Sequence, residues 1–204
     1  MGYTTDFIGH IDITPSLNDE EIAYLSAFSD SRRFERPGGP YDVPGNPRAE
    51  DEHGLPGHNY NVPPAGQPGL WCDWVPCWDG CCLSYNGVEK FYAPVEWMRY
   101  LIEHFLKPGA VASRVEDPHL AGFTFDHVLD GIVVGCRRDN KELFAIEVAD
   151  NVVHTEALRR ANRRYLDYPP LPYEEAIDRD LTPRQRRGRE RQGQVLPFTG
   201  GRRA

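Results

Sequence analysis

No run of apolar residues in this 204-residue chain approaches the roughly 20 needed to span a bilayer, so no transmembrane helix is expected. The opening MGYTTDF lacks the basic and then apolar profile of a secretory signal. Thr5 and Asp6 after Met1-Gly2 fit the myristoylation pattern poorly. An intracellular, cytoplasmic protein is the resulting expectation. The motifs that cradle phosphate are missing, with no G-x-x-x-x-G-K-[ST] and no G-x-G-x-x-G after a strand pattern. The H-E-x-x-H of helical zinc sites and the G-x-S-x-G nucleophile elbow are also absent, and no cofactor is expected. No segment repeats at a fixed period, which excludes a solenoid. Cysteine is sparse and odd in number, five in all, and without an export signal these thiols are expected to stay reduced.

What is present fits one core domain with appendages, since domains commonly run roughly 100–200 residues and only one core signal is found. The composition is 40% hydrophobic with a mean hydropathy of -0.58, a chain with a core but long polar segments. Charge is unevenly spread. Residues 1–158 carry 11 basic against 25 acidic side chains, whereas residues 159–204 carry 12 Arg against 6 acids, an acidic body with a basic tail.

Residues 67–108 hold all four Trp, four of the five Cys and the clearest helical pattern, so the core is expected to assemble around them. The Asp79-Gly80 turn predicts a two-residue hairpin that pairs Trp78 with Cys81, Cys77 with Cys82, Val75 with Ser84 and Trp74 with Tyr85. That alternation assigns Cys72, Trp74, Pro76, Trp78, Cys81, Leu83 and Tyr85 to the core face, and Cys77 and Cys82 to the other. Pro76 argues for an edge strand, because its nitrogen cannot donate to a ladder. Pro94 then opens a helix over residues 95–106, with Met98, Leu101, Ile102 and Phe105 as its buried stripe. Trp97, Tyr100 and His104 form a second strip beside it.

Before this hub, residues 6–13 alternate as a strand with Phe7, Ile11 and Ile13 inward and His10 on the wet side. Leu17-Asn18 with Glu21 and Ile22 spells a capping box and a hydrophobic staple for a helix running to about Arg32. Residues 37–68 are rich in Pro and Gly and have neither period, which makes a long loop. After the hub, strands are expected over residues 123–134, 143–148 and 152–155, with a short one over 110–115. A two-residue turn at Asp150-Asn151 would place Glu147 opposite His154, where an ion pair would raise the histidine pKa. Residues 157–166 could form a short basic helix, followed by a Pro- and Arg-rich tail expected to be largely disordered.

The chemistry these residues offer is limited. Cys77 and Cys82, opposite each other, could begin a metal site, but C-x4-C-x3-C-C is not a zinc-finger spacing and no metal is expected. A cross-strand disulfide between them is the other thiol reading. Cys72 as a nucleophile would need His53, His58 or His104 and Asp73 to converge on it. A ligand-facing pocket between the long loop and the hairpin would draw on His58, Asn59, Tyr60, Trp71, Asp73, Trp97, Tyr100 and His104. The basic tail admits weak electrostatic contact with nucleic acid.

QPGLWCDWVP, the DG turn, GVEKFYAPVEWMRYLIEHFLKP and the late DNVV resemble a family of bacterial and bacteriophage proteins. Members share the MGYTTDF start and a helix ending in SxxRR, here Ser29 to Arg33. The resemblance covers residues 1–155 and implies no activity or catalytic residue, since the family is uncharacterised. Cys77, Cys81, Cys82 and the Arg-rich tail depart from its pattern, so it lends no thiol role.

Strand, helix, hairpin, helix and further strands predict an α+β fold with two helices on one face of an antiparallel sheet. A ferredoxin-like β-α-β-β-α-β unit with a C-terminal meander is the specific form expected. The functional expectation is a small accessory or binding protein with a protein or small-molecule partner, using the aromatic strip and the long loop. An enzyme or nucleotide-binding protein with a His/Asp/Asn pocket is the alternative.

Overall fold

Ten residues of alternating polarity form β1 (Thr5–Thr14), turning Ile11 and Ile13 inward while Ile8, His10 and Asp12 face solvent. The computed structural model describes residues 3–44 and 59–161, all within one compact unit, Met1–Arg163. Helix α1 (Asp19–Asp30) starts where the capping box requires: the Asn18 side chain accepts from the Glu20 and Glu21 amides, and the Glu21 carboxylate accepts from the Asn18 amide. Leu17 and Ile22, the staple pair, both join the core. The helix stops at Asp30, short of Arg32, so neither arginine lies in its last turn.

The hairpin strands β2 (Trp74–Pro76) and β3 (Cys82–Tyr85) pair in the expected register, Trp74 with Tyr85 and Val75 with Ser84. Helix α2 (Pro94–Leu101) continues into a five-residue π-helical turn, Ile102–Leu106. Met98, Leu101, Ile102 and Phe105 are all buried. Residues 111–114 form a 3-10 turn, not a strand. The next strand, β4 (Val128–Arg137), begins later than the sequence suggests, because Leu120 and Phe123 are used to cover the core first. β5 (Leu143–Ala149) and β6 (Val152–Arg159) follow, the last absorbing residues expected to be helical. Asp150 and Asn151 both take positive φ, 48° and 67°, as a type I′ turn demands. Glu147 therefore does face His154, yet among the described residues no ion pair joins them.

One antiparallel sheet results, in the order β2-β3-β1-β4-β5-β6. This is the α+β arrangement expected of the sequence. Leu25 and Phe28 of α1 and Met98 and Leu101 of α2 share a single core with Ile11, Leu83, Leu129, Val133 and Ile146 of the sheet. The opposite sheet face carries Ile8, Ile132, Glu147 and His154 and is open to water. Among the described residues no helix is long and apolar enough to cross a membrane.

Candidate functional site

The spacing of Trp97, Tyr100 and His104 makes one strip along α2 and its π turn, and residues 37–44 and 67–72 lie against it. Tyr100 stacks on His104 with ring centroids 3.9 Å apart, and Trp97 meets Tyr100 edge-on at 5.4 Å. Gln67 Nε2 donates to the Pro40 carbonyl at 2.6 Å and to the Tyr100 hydroxyl at 3.2 Å. Tyr41 Oη lies 2.7 Å from His104 Nδ1. Trp97 and Tyr100 are thus enclosed, and only His104 of the strip is half-buried. The strip expected to offer a stacking surface instead receives the loop. Burial holds His104 below the usual imidazole range, which favours a neutral ring beside the Tyr41 hydroxyl.

Arg33 fixes that loop. Its guanidinium is fully buried over the Phe28 ring, 4.0 Å from the centroid. It donates to Ser31 Oγ at 2.9 Å, the Pro40 carbonyl at 2.7 Å, the Asp42 carbonyl at 3.1 Å and Gln67 Oε1 at 3.3 Å. Burial lowers its pKa to about 10, leaving it charged at neutral pH. Next to it, Arg32 donates to the Tyr60 carbonyl at 2.8 Å and to Asn61 Oδ1 at 2.8 Å, and sits over the Trp71 ring. Tyr60 stacks on Phe34 at 4.4 Å, and Asn59 is exposed.

The candidate pocket residues therefore fall into separate groups. Tyr60 and Trp71 meet through Arg32, and Trp97, Tyr100 and His104 form the enclosed strip. His58 and His53 lie outside the described residues. Asp73 stands apart: its Oδ1 accepts from Asn86 Nδ2 at 3.2 Å, and its other carboxylate oxygen is buried without a partner. Cys72 is completely buried, which pushes its thiol up to about 12, far from a nucleophile. Two clefts of about 550 and 530 Å³ lie elsewhere, one beside Val115, Leu120 and Phe125, the other beside Asp6, Tyr85 and Arg138.

Burial raises the Asp73 carboxyl to about 6, a shift only partly offset by Asn86. A raised carboxyl pKa makes the fold lose stability as pH rises from about 4 to about 6, since the unfolded chain ionises first. Asp73→Asn removes this penalty and should stabilise the protein by about 1–2 kcal/mol at pH 7.5 and by little at pH 4. Urea unfolding at the two pH values checks this; equal effects at both would place the cause elsewhere.

At the hairpin tip the structure overturns the expected facing. Cys77 N donates to the Cys82 carbonyl at 2.9 Å and Gly80 N to the Cys77 carbonyl at 3.0 Å, so residues 78–81 form a four-residue connection. Only Gly80 takes positive φ, 71°, and the two-residue type I′ turn does not form. Alternation ends with the ladder, and Trp78, assigned to the core by that alternation, is 91% exposed. Cys81 also faces solvent and brings its sulfur to 3.6 Å from Cys77 Sγ. The three sulfurs of Cys77, Cys81 and Cys82 lie within 4.8 Å of one another, not on opposite faces. None of the five cysteines is in a disulfide. Bonding to Asp79 and Cys77 raises Cys81 to about 11; burial and Cys77 raise Cys82 to about 12.

One buried polar group has no counterpart among the expected site residues. Glu21 and His127 are each 1% exposed, with Glu21 Oε1 at 3.1 Å from His127 Nε2. The same oxygen accepts from the amide and hydroxyl of Thr124, and His127 Nδ1 lies 2.7 Å from the Pro15 carbonyl. Glu21 is legible in the sequence as a capping residue; His127 has no local signal.

Searches for a matching family model, a curated relative and a similar solved structure find none for this chain.

Proposed function

We propose that the protein is a small binding or accessory module that docks a protein partner through the tip of its β2–β3 hairpin, with Trp78 as the anchor. The observation that carries this reading is the 91% exposure of Trp78 on a tip whose backbone is tied down. Ile13 N donates to the Cys81 carbonyl at 2.8 Å and Leu17 N to the Gly80 carbonyl at 3.0 Å. A rigid indole held in water loses little entropy on binding and regains a large apolar area, which is why Trp is enriched among interface hot spots. Tyr60 and Trp71, half-buried at the loop, are a second accessible aromatic group.

The test compares the immobilised full chain with Trp78→Ala. A partner captured by the unaltered chain, then identified and purified, should bind Trp78→Ala at least tenfold more weakly. Trp78→Ala should leave unfolding stability within about 0.5 kcal/mol, because the side chain is outside the core. Equal affinity of both chains for that partner would reject the tip as the docking point.

A further inference from the structure

We propose that Cys77, Cys81 and Cys82 form a binding site for one thiophilic divalent metal ion of the zinc type at the hairpin tip. The site is independent of whether a partner docks on Trp78. Its first support is the placement of the sulfurs. A tetrahedral zinc with Zn–S bonds of about 2.3 Å holds its sulfurs about 3.8 Å apart. Cys77 Sγ and Cys81 Sγ stand at 3.6 Å, and all three sulfurs lie within 4.8 Å. Small rotations of side chains at the surface are enough to close the set. Nothing in the core has to move, since Cys81 is exposed and the other two are half-buried.

Its second support is what surrounds the sulfurs. Cys82 N lies 2.9 Å from Cys77 Sγ, a donor aimed at the sulfur of the kind that orients a metal ligand from outside its first shell of bonds. Asp79 Oδ1 is 3.1 Å from the same sulfur and accepts weakly from Cys81 N at 3.4 Å. It places a carboxylate beside the fourth coordination position. Four groups that would repel one another as anions are gathered on a six-residue stretch, an arrangement that a cation relieves.

The third support is rigidity. The tip backbone is bonded to β1 at Ile13 and to Leu17 before α1. A Cβ at Gly80 would lie 2.6 Å from the Leu17 carbonyl oxygen, so glycine is needed for this close approach. Ligands on a pinned turn lose less freedom on binding than ligands on a free loop. The binding step balances without redox chemistry: each thiol transfers its proton to solvent as its sulfur bonds to the ion.

Cobalt(II) serves as the probe, because a thiolate ligand gives it a charge-transfer absorption that a carboxylate or imidazole ligand does not. The full chain is stripped with chelator and reduced, and its five thiols are counted to exclude a Cys77–Cys81 disulfide. Titration should give a charge-transfer band saturating at one equivalent, and zinc should displace the cobalt and abolish it. The Cys77→Ser/Cys81→Ser/Cys82→Ser triple variant should lose the band while keeping the circular dichroism of the parent. Each single Ser variant should bind at least tenfold more weakly, and Cys136→Ala should bind as the parent does. No band at one equivalent in the reduced chain, or an equal band in the folded triple variant, would overturn the site.

Discussion

Glu21→Ala will destabilise the fold by about 3–5 kcal/mol in equilibrium urea unfolding, the usual cost of stranding one member of a buried ion pair. Both partners are 1% exposed, and Glu21 also accepts bonds from Asn18, at the start of α1, and from Thr124. Removing it opens the helix cap, orphans the Thr124 amide, and takes from the buried His127 the carboxylate that holds its proton. Burial alone would raise the Glu21 pKa, but bonds from His127, Thr124 and Asn18 outweigh it and hold the carboxyl at about 2. Burial alone would lower the His127 pKa, but bonds to Glu21 and Pro15 outweigh it and raise the imidazole above its usual range.

The pH signature follows from those two directions. Glu21, depressed in the fold, contributes stability above its ordinary value of 4.5 that is lost as pH falls through about 2. His127, raised in the fold, contributes stability that is complete below 6.5 and lost as pH rises through its elevated pKa. The pair therefore supports the fold most between about pH 4.5 and 6.5, and Glu21→Gln should flatten the profile on both sides. An NMR titration gives the separate check: the His127 pKa should drop in Glu21→Gln, and an unchanged value would remove the pair as its cause.

Arg33→Lys and Arg33→Met should each cost about 3–5 kcal/mol, with lysine no better than methionine. Bonds to a charged donor contribute roughly 1.5–3 kcal/mol each, and Arg33 makes four, to Ser31, Pro40, Asp42 and Gln67. Lysine keeps the charge but has no planar fork to reach these acceptors together, and its compact ammonium is costly to bury over Phe28. Because Arg33 ties Pro40, Asp42 and Gln67 of the loop together, Arg33→Met should also speed amide exchange around Tyr41 and Gln67. A lysine variant as stable as the parent would show that charge, not geometry, holds the loop.

The elements that were legible share a property: each is fixed by a few neighbouring residues. Asn18 and Glu21 close a capping box across three positions, and Asp150-Asn151 sets the β5–β6 register by turn geometry. The inward stripe of Met98, Leu101, Ile102 and Phe105 is helical periodicity alone. The hairpin register was legible as well, but its facing at the tip was not. Trp78 and Cys81 obey alternation only if the ladder reaches them, and a four-residue connection ends it at Cys77 and Cys82. The metal-capable sulfur cluster depends on that ending, since alternation would have divided the three cysteines between two faces.

By itself, then, the sequence determined the class of fold, the helix starts, the register of the β2–β3 and β5–β6 hairpins and the apolar stripes of the helices, because local spacing and apolar burial decide all four. Only the tertiary structure decided that Glu21 pairs with His127, 106 positions away, that Arg33 anchors a loop across α2, and that Trp78 stands in water on a tip where three thiols meet. The physical reason is the same in each case. A polar or aromatic side chain takes its role from whatever the fold brings to it, and no period in the chain records that partner.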